Sequence, residues 1–98
     1  MSDNYIQYAG GYNKDNIDLI DVEKAIIKIQ ESDDEHGAFW VSVITDDENV
    51  IETDKNLNIA IVFEGNQSNY KAKDWFEVKE LYKLLLDENF EAIKQKII

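Results

Sequence analysis

The spacing of apolar residues changes period several times along the chain. Val22, Ala25, Ile26 and Ile29 recur at helical intervals, with Glu23, Lys24, Lys28 and Gln30 on the remaining positions. This predicts an amphipathic helix of about three turns, capped by Asp18 or Asp21. From Ala38 the period drops to two. Phe39, Val41 and Val43 alternate with Trp40, Ser42 and Ile44, as expected of a central strand buried on one side and partly covered on the other. Val50 to Thr53 and Leu57 to Phe63 read as two more strands. The short polar links Asp46 to Asn49 and Asp54 to Asn56 make the three an antiparallel meander.

The ends of the chain carry weaker patterns. Asn4 to Ala9 mixes aromatic and β-branched residues and stops at Gly10-Gly11, a pair able to take positive φ, so it reads as a strand entering a turn. Residues 12–18, polar except for Tyr12 and Ile17, read as loop, and so does Glu64 to Asn69. Tyr70 to Lys73 adds a further strand at an edge, where paired lysines discourage aggregation. Asp74 followed by Glu77 resembles a capping box, and Val78, Leu81, Tyr82 and Leu85 mark the helix behind it. Asp87-Glu88-Asn89 interrupts that pattern before Phe90, Ile93 and Ile97 resume it, which fits one long helix or two short ones. The expected fold is a single α+β domain over residues 1–98. Its antiparallel sheet has four to five strands, with the first helix and the C-terminal helix or helices packed on one face. The opposite face is then the place to look for function.

Charge changes this picture most. The 98 residues include 21 Asp and Glu against ten Lys and no Arg, a formal charge of −11. Twelve of the acids and three of the lysines fall in residues 1–50. Such a field repels nucleic acid and anionic membranes and steers cationic proteins toward the surface. The apolar share of 44% with eleven aromatics argues for a packed core despite the charge. Cysteine is absent, which excludes disulfides, thiolate nucleophiles and Cys-ligated metals. The start Met1-Ser2-Asp3-Asn4 lacks the basic, then apolar, pattern of a signal peptide, and no apolar run approaches the ~20 residues of a membrane span. A soluble, cytoplasmic protein is expected.

Little in the chain points to catalysis. His36 is the sole histidine, and its neighbours Asp33, Asp34 and Glu35 are too contiguous to converge on a metal, which would need further ligands that the chain lacks. No calcium-loop spacing, phosphate loop or serine elbow is present. Neither enzyme activity, cofactor nor metal is expected. The acids instead suggest contact surfaces: Asp33, Asp34 and Glu35 in one run, and Asp46, Asp47 and Glu48 in another. Tyr8 and Tyr12 are candidate anchors, since tyrosine offers contact area at low entropic cost. Trp40 reads first as core and second as a further anchor.

The strand, the helix Asp21-Val22-Glu23-Lys24-Ala25-Ile26-Ile27, the strand Ala38-Phe39-Trp40-Val41-Ser42-Val43-Ile44 and the acidic, helix-ended C-terminus resemble the small immunity proteins encoded beside bacterial polymorphic toxins. The resemblance implies an acidic single domain that binds a cognate toxin, a nuclease or deaminase, and occludes its active site. Two further readings stand beside it. One is a phage-encoded inhibitor that presents carboxylates where a nucleic acid has phosphates, as an anti-CRISPR or anti-restriction protein would. The other is a structural or adaptor domain that forms a homodimer through the uncovered sheet face.

Overall fold

The computed structural model describes residues 3–8, 11–31, 37–63 and 65–97. Six strands and three helices follow in the order β1 (Asp3–Tyr8), β2 (Asn13–Asp15), α1 (Leu19–Glu31), β3 (Ala38–Ile44), β4 (Glu48–Asp54), β5 (Asn58–Phe63), β6 (Asn66–Lys71), α2 (Trp75–Leu86) and α3 (Phe90–Lys96). The strands form one antiparallel sheet in the order β2-β1-β3-β4-β5-β6. β1 lies between β2 and β3, so α1 is the crossover that carries the chain from one side of β1 to the other.

The α+β plan and the single helical layer are as the periodicities predict, with differences at the two edges of the sheet. The sheet has six strands, not four to five. Asn13–Asp15, expected as loop, is a short edge strand paired with β1. At the other edge, β6 spans Asn66–Lys71 instead of Tyr70 to Lys73, leaving Lys73 outside the strand. Of the two forms open to the C-terminal segment, one long helix or two short ones, it takes the second. Asp87 and Glu88 close α2 through backbone bonds to Lys83 and Leu85, Glu88 takes φ +58°, and Asn89 then caps α3 by accepting from the Ala92 amide.

Local chemistry accounts for the element starts. Asp18 and Asp21 exchange hydrogen bonds between side chain and backbone amide, a reciprocal box that opens α1. Asp74 accepts from the Glu77 amide at 2.8 Å, while Glu77 accepts from the Lys73 amide at 2.9 Å. Asn4 clamps the backbone of Ile17 on both its N–H and its C=O, fixing the chain between β2 and α1.

The core lies between the sheet and the helices. Ile6, Phe39, Val41, Val43, Ile51, Ile59, Ile61 and Phe63 point inward from the sheet, and Val22, Ala25, Ile29, Val78, Leu81, Tyr82, Leu85 and Ile93 meet them from the helices. Tyr82 is the central polar anchor of this layer. It stacks on Phe39 with centroids 5.2 Å apart, donates to the Ile51 carbonyl at 3.1 Å and lies 2.6 Å from the Thr53 hydroxyl. Burial raises its pKa far above the ordinary phenol value, the nearby Glu52 charge adding to this and the Thr53 hydrogen bond partly opposing it. Among the described residues no buried side-chain nitrogen or oxygen lacks a hydrogen-bond partner.

Candidate functional site: the uncovered sheet face

The three helices lie on one side, so among the described residues the other side of the sheet has no layer over it. Alternation along the strands decides what it presents. Two cross-strand rows run through its middle. One is Asp15, Tyr5, Ser42, Val50, Val62 and Gln67, and the other is Asn13, Gln7, Trp40, Glu52, Ala60 and Asn69. Asp3 beside Ile44, Glu48 opposite Ile44, and Asp54 at the end of β4 extend the same face. An apolar and aromatic band of Tyr5, Trp40, Val50, Ala60 and Val62, each half-buried, is therefore flanked by Asp3, Asp15, Glu48, Glu52 and Asp54.

The cations are distributed differently. The ion pairs Lys14–Asp21 at 2.8 Å, Lys79–Glu23 at 2.6 Å, Lys96–Glu80 at 3.4 Å and Lys94–Glu91 at 3.8 Å all belong to the helical side. None of the five face acids is among them. The one lysine whose strand position places it on this face, Lys71, donates to the Asn56 carbonyl. Asp54 accepts from the backbone amides of Asn56 and Asn58 and from the Asn58 side chain. Burial acts upward on its pKa, but these hydrogen bonds and the charge of Lys71 outweigh it, so the carboxyl lies below its ordinary value. Glu48 takes hydrogen bonds on one oxygen from Tyr5 and from Ser42, both at 3.3 Å, which lays its carboxylate over the buried Ser42.

The residues expected to make contacts do not gather in one place. Asp33, Asp34 and Glu35 lie outside the described residues. Asp46 and Asp47 are exposed in the turn between β3 and β4, which is held from within by the buried Asn49 amide donating to the Val43 and Asp47 carbonyls and the Thr45 hydroxyl. Only Glu48 of that run falls on the face. Trp40 is also there, half-buried and pointing away from the helical core, which replaces its reading as a core residue. Tyr8 and Tyr12 are on the other side. Their rings lie 5.0 Å apart beside α1, with the Lys28 ammonium 5.2 and 5.8 Å from the two centroids. Their surroundings thus include Lys14, Lys24 and Lys28 together with Asp21, a mainly cationic setting. Burial, then Tyr12 and Asp21, raise the Tyr8 pKa.

Asp3, Asp15, Glu52 and Asp54 were not singled out by sequence, although a signal for two of them was present. In Glu48-Asn49-Val50-Ile51-Glu52-Thr53-Asp54 the acids share one parity and Asn49, Ile51 and Thr53 the other. A strand buried on the second set must expose the first.

The outer helical surface exposes Ile20, Ile27 and Phe76, the two isoleucines on either side of Lys24 along α1. Among the described residues no group of three or more Asp, Glu or His is placed to hold a metal ion, and no helix is long and apolar enough to cross a membrane. Compared with protein-family models, curated proteins and solved structures, the chain matches none.

Proposed function

We propose that this chain is a stoichiometric binding module, acting without catalysis, that meets a basic protein with its uncovered sheet face and serves as an immunity protein occluding the active site of a cognate toxin. The observation that carries the reading is the partition of charge. Lysines neutralise acids across the helical layer, while the acids of the open face surround an apolar and aromatic band and have no ion-pair partner among the described residues. A surface of that kind has an apolar centre for desolvation and a charged rim for steering and register.

The other two readings draw less support. Along β4 the outward carboxylates Glu48, Glu52 and Asp54 are separated by four and then two residues, about 13 and 7 Å at the rise of a strand. The outward position between Glu48 and Glu52 is the apolar Val50, whereas a phosphate backbone carries a charge at every step. A homodimer built face to face would set carboxylates against carboxylates, which opposes association.

The test begins with the partner, captured by cross-linking in the native host. Expressed in a bacterium, that partner is expected to be toxic, and co-expression of this chain to rescue growth. The triple substitution Asp15→Asn, Glu48→Gln, Glu52→Gln is expected to weaken the complex at least tenfold and abolish rescue, with affinity falling steeply as salt is raised. A harmless partner removes the immunity role. A complex indifferent to the triple substitution removes the open face as the interface.

A further inference from the structure

The open face is not flat. Ala60 of β5 stands where neighbouring strands carry longer side chains, and above it a depression of about 420 Å³ opens between Glu52 and Asp54 of β4, Asn58 of β5, and Asn69 and Lys71 of β6. We infer that this depression receives one arginine side chain of the partner, its stem over the Ala60 methyl and its guanidinium on Glu52. The inference rests on the reading of this face as the surface that meets a basic protein.

Charge selects the occupant first. Asp54 is committed to the amides of Asn56 and Asn58, and Lys71 is held on the Asn56 carbonyl, so Glu52 is the acid left to answer a newcomer. No ion pair among the described residues uses it. An anionic or wholly apolar group would desolvate that carboxylate without compensation. A metal ion would need further ligands converging from outside a flat strand, and no such group exists among the described residues. A second copy of this chain has no arginine to offer.

Shape then separates arginine from lysine. Trp40 and Ala60 pair with Glu52 from opposite sides in one cross-strand row. Glu52 therefore stands between the depression, with its Ala60 floor, and Trp40, which adjoins it in the row on the side away from the depression. A guanidinium can lie against an aromatic surface while its fork engages a carboxylate through two N–H groups. An ammonium, compact and strongly hydrated, gains less from the same surroundings.

Nona-arginine and nona-lysine peptides titrated at low salt into the isotopically labelled protein, followed by amide and indole NMR shifts, test the assignment. Nona-arginine is expected to move the Glu52, Ala60 and Asn69 amides and the Trp40 indole, and to bind about fivefold more tightly than nona-lysine. Ala60→Leu fills the depression without altering any charge. It and Glu52→Gln are each expected to weaken the arginine peptide by about five- to tenfold and to erase its advantage over lysine. The same spectra report that each variant is folded. Unchanged affinity and selectivity in Ala60→Leu overturn the arginine site and leave the wider face standing. Shifts concentrated on Asp74, Glu80 and Glu91 of the helical layer overturn both.

Discussion

On the helical side of the sheet, charged groups tie elements together: Lys79 of α2 reaches Glu23 of α1, and Lys96 of α3 reaches Glu80 of α2, above a continuous apolar core. On the other side, Trp40, Val50 and Val62 are only half-buried, and Asp15, Glu48 and Glu52 make no ion pair among the described residues. The same strands supply both surfaces, so the difference comes from the parity of side chains along them and not from the backbone. It teaches that stability and recognition can be divided between odd and even positions of one strand.

The comparison is broken most directly in the core. Leu81→Ala, at a fully buried site, is expected to cost about 2–5 kcal/mol in chemical denaturation, against roughly 1 kcal/mol for Val62→Ala on the open face. Equal losses would mean that the open face is also core. Tyr82→Phe comes next. It leaves the Ile51 carbonyl and Thr53 hydroxyl without their buried partner, at about 1–3 kcal/mol, while peptide binding on the far side should weaken far less than in Glu52→Gln.

Acid titration sharpens the comparison further. Asp21 lies below its ordinary pKa, chiefly through the hydrogen bond from Lys14, which outweighs the upward effect of burial. A carboxyl lowered by folding contributes its full stability above the unfolded value, about 3.9, and loses it as pH falls through the folded value. Asp21→Asn should therefore lower stability at neutral pH by less than about 1 kcal/mol, with the gap from wild type closing below about pH 4. The smallest effect, and one of opposite sign, is expected from the open-face triple substitution. Removing unpaired like charges should leave stability unchanged or raise it by up to about 0.5 kcal/mol, and added salt should raise the melting temperature of the parent more than that of the variant. A clear loss of stability would show that these acids hold the fold together.

Much of the fold was legible because burial imposes a period. The helical repeat from Val22 to Ile29 and the alternation from Phe39 to Val43 each mark one buried face. β2 and β6 leave no such mark. Asn13-Lys14-Asp15 is exposed at every position, and in Asn66-Gln67-Ser68-Asn69-Tyr70-Lys71 only Tyr70 is even half-buried. These edge strands exist because β1 and β5 offer them a ladder, a tertiary cause that local pattern does not record. The candidate site was legible in part. Trp40 and Glu48 lie on the face, but a run of consecutive acids is a poor guide to a surface on which every second residue turns away. Nor do the two halves of the chain map onto the two sides. Asp18, Asp21 and Glu23 of the first half belong with the helices, while Glu52 and Asp54 of the second lie on the open face.

Tyr82 reaches through the core to hold β4 at Ile51 and Thr53, the very residues that alternate with Val50, Glu52 and Asp54. The outward carboxylates are thus mounted on a backbone already immobilised from behind. Association there would sacrifice side-chain freedom but little main-chain freedom, so the surface is preorganised. Its ligand should find the β4 amides as protected from hydrogen exchange before docking as after it.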